Sequence, residues 1–389
     1  MKLMYLQSGG PTAVINASFY GVIKAFQEND KFEKLYAGKY GLEGLLNLDY
    51  YEIKKNKDYS KIANNSGAIL GSARIKLSDF FDDEKYKLIE KNVLALDLDY
   101  ILINGGNDSM DTAYKLNKFF IERGLKTRTI GIPKTIDNDL MGIDRCPGYG
   151  SAVKYIVETI EDISLDLDSY KKGRFTIIEV MGRDAGWLAL SAALCKKDLG
   201  PDLIYTSEIP FGYEAFLKDV ERIYKKKKRV LVVVSEALKD ANGVIIFSEK
   251  GALDAFGHRQ LGSISKELCE VVSNTLHIST RAIEFNLMQR ASTVHQAKSD
   301  RKEAIDVGYN AMQLALKNIN GVMVSIIRDG DSYKIGTEPL ENVMNFVRHV
   351  PRDYMNEKGN FPTSKALEYL SFIKKDIKHR KQYRKLLGK

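Results

Sequence analysis

The stretch DYILINGGNDSM, residues 99–110, holds the pattern that decides the fold. An apolar run of strand length ends at two glycines, and a helical pattern begins at about Ser109. Similar apolar runs, each close to a helical segment, recur through the rest of the chain. Because strands that alternate with helices pair in parallel with helices on both faces, the sequence predicts an α/β fold with mainly parallel sheets.

The alternation occurs in both halves of the chain. The first half has the runs KLMYLQ (followed by a helix from about Pro11), DYILIN and TRTIGI, and the second has RFTIIEVM, DLIYT, RVLVVVS and GVMVSIIR. Between the halves, one helical stripe predicts a helix that leads from one lobe into the next; it consists of Val153, Ile156, Val157, Ile160 and Ile163. Since 389 residues exceed one ordinary core, we expect two Rossmann-like lobes or one enlarged α/β domain.

Composition indicates a folded protein of the cytoplasm. Hydrophobic residues make up 44% and charged residues 28%, with only 8 prolines. The 3 cysteines are widely spaced, which favours a reducing compartment over a disulfide framework. The N-terminus lacks the apolar core of a signal peptide, and no apolar run approaches the ~18 residues needed to cross a bilayer. We therefore expect no export and no membrane partner.

Much of the net charge of +8 lies in KKKKR (225–229) and in the tail KKDIKHRKQYRKLLGK. Ala366, Leu370, Ile373 and Ile377 recur at helical spacing leading into that tail, which predicts a solvated amphipathic helix on the protein's own surface. No nucleic-acid recognition motif accompanies the charge, so we expect no nucleic-acid partner.

Three glycine-rich turns fall where strands meet loops: QSGGPT (7–12), ILGSAR (69–74) and INGGNDSM (103–110). Glycine lets backbone N–H groups approach an anion at a helix N-terminus, although a single such turn is as well explained by steric need. Ligands of parallel sheets collect at the carboxyl ends of the strands, so the three turns together predict a phosphate site. The first and third fit neither a Walker loop nor a dinucleotide fingerprint.

The segment PKTIDND, residues 133–139, follows a strand at the same predicted edge. Aspartates in loops are often only turn formers. Here Lys134, Asp137 and Asp139 supply a cation, a base and carboxylate oxygens, the groups that phosphoryl transfer to a hydroxyl requires.

These motifs resemble the phosphofructokinase family, whose members phosphorylate the C1 hydroxyl of fructose 6-phosphate. The matching segments run from residue 8 to 290 in the family's order: SGGPTAVINAS, LGSAR, GGNDS, PKTIDND, EVMGRDAGW, SEAL and TRAIEFNLMQR. The resemblance implies a donor lobe of residues 1–148 with about 289–340, a fructose 6-phosphate lobe of 149–288, and a basic helical C-terminal extension, 341–389.

The resemblance also assigns roles to single residues. It implies that Asp137 is the base for the sugar hydroxyl, oriented by Asp139, and that Thr135 contacts the phosphoryl group in transfer. Arg183 would stabilise charge on that group. Contacts to the sugar are implied for Met181, Gly182 and Glu236.

Three arginines match the family's ligands for the 6-phosphate of the sugar. Arg174 and Arg281 match the pair that a neighbouring subunit contributes, whereas Arg290 matches one from within the subunit. Guanidinium groups suit this role because they bind phosphate in a bidentate manner. The resemblance therefore implies a homo-oligomer, dimer or tetramer, with shared active sites.

Two departures from the ATP-dependent pattern concern the donor. Asp108 and Lys134 stand where ATP-dependent members carry glycine, and the resemblance links this pair to members that use inorganic diphosphate. The remaining donor contacts that we expect are Gly9, Gly10, Arg74 and Gly106. Magnesium is the implied cofactor, with Asn107 and Asp108 as its ligands, although Asn107 replaces the usual aspartate.

We therefore expect reversible transfer from diphosphate to fructose 6-phosphate, giving fructose 1,6-bisphosphate and phosphate, in glycolysis or gluconeogenesis. Alternatives are an ATP-dependent enzyme of the same family, a noncatalytic regulatory subunit that senses sugar phosphates, and a basic scaffold that binds RNA through its tail.

Overall fold

The computed structural model describes residues 1–73, 75–247, 262–330 and 332–383. The strands are β1 (Lys2–Gln7), β2 (Lys34–Gly38), β3 (Tyr50–Glu52), β4 (Tyr100–Gly105), β5 (Arg128–Pro133), β6 (Phe175–Val180), β7 (Leu203–Tyr205), β8 (Val230–Ser235), β9 (Thr280–Glu284), β10 (Val322–Asp329) and β11 (Ser332–Pro339). The α-helices are α1 (Ile15–Glu28), α2 (Leu42–Leu46), α3 (Glu84–Ala95), α4 (Asn107–Glu122), α5 (Tyr149–Leu167), α6 (Trp187–Ser191), α7 (Tyr213–Lys227), α8 (Ile264–Leu276), α9 (Met288–Ala291), α10 (Lys298–Leu316), α11 (Leu340–Val343) and α12 (Ser364–Tyr369).

The predicted α/β fold with mainly parallel sheets is confirmed. Each of the seven apolar runs singled out in the sequence contains a strand, β1, β4, β5, β6, β7, β8 or β10. The predicted linking stripe lies on α5, where Val153, Ile156, Val157 and Ile160 are fully buried. Of the described helices, none is long and apolar enough to span a membrane.

Contacts divide the chain into two compact units. The first unit comprises Met1–Ser151 and Arg290–Arg348, and the second comprises Ala152–Gln289 and the residues from His349 onward. Among the described residues, each unit contains one sheet with its own apolar core. The segment after residue 340 is thus divided at Arg348 between the two units.

The sheet of the first unit has the order β11-β10-β5-β4-β1-β2-β3 among the described residues. Strands β2, β1, β4, β5 and β10 pair in parallel, and the edge strands β3 and β11 are antiparallel. Because the chain leaves β1 toward β2 and later returns to add β4 on the other side, the strand order reverses between β1 and β4. Such a switch point leaves a crevice at the carboxyl ends of the two strands, where ligands of open α/β sheets bind.

The sheet of the second unit is parallel, with the order β7-β8-β6-β9. Its strand order reverses between β6 and β9, so the switch point lies where the motif EVMGR leaves β6. Each unit therefore places one group of predicted site residues at its own switch point.

Helices α1 and α10 pack closely in the first unit because glycine stands on each side of their contact. A Cβ atom at Gly308 would overlap the carbonyl oxygen of Ser18, and one at Gly21 would overlap that of Ile305. These are backbone atoms, which cannot move aside as a flexible side chain can.

Gly308→Ala should therefore destabilise the protein by about 1–3 kcal/mol, despite the better helix propensity of alanine. Gly212→Ala is the matched control, since a Cβ there would meet Ala215 Cβ only at 4.0 Å, an ordinary contact distance, among the described atoms. Denaturant unfolding of both variants checks the prediction. Equal stabilities of the two variants would contradict it.

The C-terminal region differs from the expected solvated helix. Among the described residues that lead into the basic tail, Ser364–Tyr369 are α-helical, and a 3₁₀ turn at Leu370–Ile373 follows. The apolar stripe is buried, with Ala366, Leu370 and Ile373 fully inaccessible and Ile377 8% exposed. The four residues at helical spacing therefore anchor the region in the second unit.

The basic tail then runs along the acidic face of α5 without helical structure up to residue 383. The Arg380 guanidinium donates to both carboxylate oxygens of Asp162 at 2.6 and 2.9 Å, and its backbone N–H donates to Glu161. The Lys378 backbone N–H donates to Glu158. Acidic side chains of α5 thus neutralise part of the positive charge of the tail.

Candidate active site

The loop after β1 contains two glycines, which allow close approach to its backbone. Gly9 has a φ of +73°, which side chains disfavour. A Cβ atom at Gly10 would lie 2.5 Å from Nη1 of Arg290. The Ser72 hydroxyl fixes the loop by donating to the Gly9 carbonyl at 2.7 Å.

Lys134 at the end of β5 reaches across to this loop. Its ammonium donates to the carbonyl oxygen of Gly10 at 2.5 Å, and the residue is 2% exposed. Burial, and then the positive charge of Arg290, lower the pKa of Lys134 to about 8, while Asp137 and Asp139 oppose the shift. Two cations thus lie beside one glycine turn, an arrangement that an anion between them would stabilise.

Burial alternates along the TIDND loop and leaves its two acids partly accessible. Asn138 is fully buried with a φ of +58°, and its Oδ1 accepts from the backbone N–H of Cys146 at 2.9 Å. Asp137 and Asp139, on either side, are half-buried. The Asp137 backbone N–H donates to the Thr135 hydroxyl oxygen at 3.1 Å, which fixes the turn before the first acid.

The N-terminus of α4 brings three predicted residues to the same switch point. Gly106 is the N-cap of the helix, and Asn107 and Asp108 form its first turn. The Asn107 amide nitrogen donates to the carbonyl of Phe346 at 2.7 Å. Its other amide atom, Oδ1, is buried and has no hydrogen-bond partner among the described residues. Asp108 is exposed, where its charge also favours the helix N-terminus.

Predicted donor residues are therefore gathered in the first unit, with one exception. Gly9, Gly10, Gly106, Asn107, Asp108 and Lys134 follow the adjacent strands β1, β4 and β5. Arg74, also predicted there, lies outside the described residues. Arg290, which the sequence resemblance assigns to the sugar phosphate, lies over Gly10 beside Lys134.

The second unit contains a polar cavity of about 460 Å³ at its own switch point. Predicted residues Met181, Arg183 and Glu236 line it. Gly182 lies between the first two with a φ of +111°, and a Cβ atom there would lie 2.6 Å from the Ala185 carbonyl oxygen. Only glycine fits this turn without strain.

Glu236 is the carboxyl group of this cavity whose proton affinity is most altered. Burial raises its pKa to about 7, and the neighbouring Arg183 guanidinium limits the rise. Glu236 therefore changes protonation near neutral pH. Its backbone N–H donates to the carbonyl of Val180 at 3.0 Å, which fixes the loop after β8 beside the loop after β6.

The structure adds cavity residues that sequence reasoning missed. Glu179 accepts from the Ser265 backbone N–H at 3.0 Å and from its hydroxyl at 2.8 Å, which attaches the start of α8 to β6. Burial raises the pKa of Glu179. Opposite it in the paired strand β9 lies Glu284, whose pKa an ion pair with Lys266 lowers.

Buried Gln289 supports two residues of the cavity, a role that the sequence did not predict. Its Oε1 accepts from the Met181 backbone N–H at 3.2 Å, and its amide nitrogen donates to the Asn286 carbonyl at 3.0 Å. Its position immediately before the predicted Arg290, in a matching motif, was the signal that could have identified it.

Arg174 and Arg281 lie elsewhere in the second unit. Arg174 directly precedes β6, and Arg281 pairs with Thr176 near the start of the same strand. A strand of six residues spans roughly 17–20 Å, so these arginines belong to the opposite end of β6 from the EVMGR loop. Neither is among the described residues that line the cavity.

Comparison with known proteins identifies a matching family profile and relatives that are similar over most of the chain. A sequence profile described as phosphofructokinase matches residues 2–315. The pyrophosphate–fructose 6-phosphate 1-phosphotransferase of Halomonas elongata is 35% identical over 378 residues, 94% of this chain and 90% of that protein. The sulfofructose kinase of Alkalicoccus urumqiensis is 33% identical over 368 residues, 92% of this chain and 93% of that protein.

A solved structure agrees in fold over nearly the whole chain. The crystal structure of the pyrophosphate-dependent phosphofructokinase from Nitrosospira multiformis superposes with a TM-score of 0.86 at 30% identity, covering 97% of this chain and 92% of that one. The profile match spans most of the chain, and full-length relatives exceed 30% identity. This chain is therefore a member of the phosphofructokinase family.

Proposed function

We propose that the protein transfers a phosphoryl group from inorganic diphosphate to the C1 hydroxyl of fructose 6-phosphate, giving fructose 1,6-bisphosphate and phosphate. The observation that favours diphosphate as the donor is the buried ammonium of Lys134. This group donates to the Gly10 carbonyl oxygen and lies beside Arg290. A buried cation next to a second cation is costly unless an anion fills the site. Diphosphate is a compact anion that would do so.

The transfer uses the residues of the first unit as base and support. The C1 hydroxyl oxygen attacks the terminal phosphorus, the bond from that phosphorus to the bridging oxygen breaks, and phosphate leaves with the bridging oxygen. Asp137 accepts the hydroxyl proton, Asp139 orients Asp137, and Thr135 contacts the phosphoryl group in transfer. Lys134 neutralises charge on the donor oxygens.

Residues of the second unit recognise the sugar in this proposal. Met181 and Gly182 contact the sugar, Glu236 binds one of its hydroxyls, and Arg183 stabilises charge on the transferring group. Arg174 and Arg281, at the opposite end of β6, serve the 6-phosphate in a neighbouring subunit. The protein is accordingly a homo-oligomer with shared sites.

Magnesium is the proposed cofactor, and the residues present fit it. Asn107 Oδ1 is a buried oxygen with no partner among the described residues, and Asp108 follows it in the first turn of α4. The described part of the chain contains no group of three acidic, histidine or cysteine side chains that could hold a metal without other ligands. Diphosphate oxygens would therefore complete the coordination, as is usual for magnesium. The bound ion would neutralise charge on the donor phosphates.

The reaction is expected to be readily reversible, because donor and product differ little in phosphoryl-transfer potential. That property suits both glycolysis and gluconeogenesis. A cytoplasmic location remains the prediction from the sequence.

A sugar assay tests the acceptor. Purified protein, diphosphate and magnesium are incubated with fructose 6-phosphate or with sulfofructose, because one relative is named a sulfofructose kinase. We expect fructose 1,6-bisphosphate to form and sulfofructose to react at least about tenfold more slowly. The anionic groups of the two sugars differ in charge and shape, and Arg174 and Arg281 are proposed to recognise this group. Preference for sulfofructose would overturn the acceptor assignment, and no turnover of either sugar with diphosphate or with ATP would favour the regulatory subunit.

Glu236 predicts a pH dependence of sugar binding. Its pKa of about 7 means that it donates a proton to a sugar oxygen below that pH and only accepts above it. The KM for fructose 6-phosphate should therefore show an inflection near pH 7 that Glu236→Gln lacks. The substrate phosphate also titrates near pH 6, but it does so equally with both proteins. Parallel pH profiles for the two proteins would contradict the prediction.

A further inference from the structure

One arginine near the end of the first unit holds the backbone of the TIDND loop. The Arg348 backbone N–H donates to the carbonyl of Asp139 at 2.7 Å. Its guanidinium Nη2 donates to the carbonyl of Asn138 at 2.8 Å. Two successive carbonyls, those directly after Asp137, are therefore fixed by one residue. This is also the part of the loop with the positive φ at Asn138, a conformation that the backbone does not hold unaided.

The same short segment, residues 345–348, also holds the start of α4. The Phe346 carbonyl accepts from the amide nitrogen of Asn107 at 2.7 Å. The Asn345 amide nitrogen donates to Asp111 Oδ1 at 3.1 Å, one turn further along the helix. Residues 345–348, which we term the clasp, thus contact both the catalytic loop and the helix N-terminus at the switch point.

The contact with Phe346 determines which atom Asn107 presents. An amide group has a donor end and an acceptor end, and the donor end is engaged by the Phe346 carbonyl. The acceptor Oδ1 is therefore the end left without a partner among the described residues. An amide turned the other way would bring two oxygens together and lose the hydrogen bond. The clasp thus fixes the orientation that a cation needs.

We infer that Arg348 is a positioning residue that holds Asp137 and Asp139 in their reactive arrangement. This inference rests on the proposed function, because it concerns the base of that reaction. Arg348 lies beyond residues 2–315, which the family profile matches, so the profile assigns it no role. Reaction geometry is sensitive enough for such a role: a displacement of about 1 Å can cost roughly a hundredfold in rate.

The test compares Arg348→Met and Arg348→Lys with the unaltered protein. Each variant retains the backbone N–H bond to Asp139, so the change removes only side-chain interactions, among them the guanidinium bond to Asn138. We expect Arg348→Met to lower kcat by about 10–100-fold while both KM values change less than about threefold. Arg348→Lys, which keeps one donor, should recover part of kcat, and added guanidinium ion should raise kcat of Arg348→Met.

Arg352→Met is the matched control. Its guanidinium also donates to backbone carbonyls, those of Met355, Asn356 and Glu357, but none of these belongs to the proposed site. We expect this variant to keep its kcat even where its melting temperature falls. Guanidinium ion should have no effect on it.

The outcomes separate the inference from the proposed function. A kcat of Arg348→Met within twofold of the unaltered protein, or a loss that neither lysine nor guanidinium relieves, would overturn the positioning role. If Arg348→Met does not fold, the kcat of Arg348→Lys decides, because an unchanged value would equally overturn it. Absence of diphosphate-dependent turnover in the unaltered protein would instead reject the proposed function.

Discussion

Asp137→Asn should lower kcat by about 10²–10⁴-fold with little change in either KM. Asparagine has nearly the same size but cannot accept the hydroxyl proton at neutral pH, so only the base is removed. The surrounding loop should be retained, because the Asn138 and Thr135 contacts hold its backbone. Steady-state kinetics with diphosphate and fructose 6-phosphate provide the measurement.

Asp30→Asn is the control for the loss of a carboxylate. Asp30 is exposed and pairs with Lys55 at the surface, so its replacement should leave kcat unchanged. A reduction of kcat in Asp137→Asn smaller than tenfold would show that another group takes the proton.

Lys134→Met should have opposite effects on activity and on stability. Removing the cation beside the donor site should lower kcat/KM for diphosphate by about 10²–10³-fold. Removing a desolvated cation that lies beside Arg290 should leave the free energy of unfolding unchanged or increase it at pH 7. Kinetics and denaturant unfolding on one preparation test both parts, and a large loss of stability would mean that Lys134 serves the fold.

The lowered pKa of Lys134 also gives the unfolding free energy a defined pH dependence. The unfolded chain binds the proton up to about pH 10.4, whereas the folded protein releases it near pH 8. Stability from this residue is therefore complete above the unfolded pKa and is lost as pH falls through about 8. Unfolding of the unaltered protein relative to Lys134→Met should show this slope, and saturating diphosphate should remove it by favouring the charged lysine.

Local sequence patterns were sufficient for seven of the eleven described strands and for the edge of the sheet at which the candidate residues of the first unit lie. Strands such as the one in DYILIN are buried on both faces of a parallel sheet. Most of their residues are therefore apolar, a pattern that a single sequence shows clearly. The first glycine turn was placed correctly because a strand-to-helix connection must follow β1. Helix starts were less accurate: the helix expected from about Pro11 begins at Ile15.

Long-range contacts could not be read from local patterns. The stripe from Ala366 to Ile377 has helical spacing, but its residues are buried by packing in the second unit, and the tail after it follows the acids of α5. Nothing near Arg348 in the sequence indicates that it donates to the carbonyl of Asn138, about two hundred residues earlier. Such contacts arise from the tertiary fold alone.

The most direct test of the account is the ratio of kcat/KM for diphosphate to that for ATP, measured for the unaltered protein and for the double variant Asp108→Gly/Lys134→Gly. We predict a ratio above about 10² for the unaltered protein, since repulsion between the Asp108 carboxylate and the additional phosphate of ATP should cost about several kcal/mol that diphosphate avoids. In the double variant we predict that diphosphate use collapses and some ATP use appears. Rapid turnover of the unaltered protein with ATP and none with diphosphate would contradict the account.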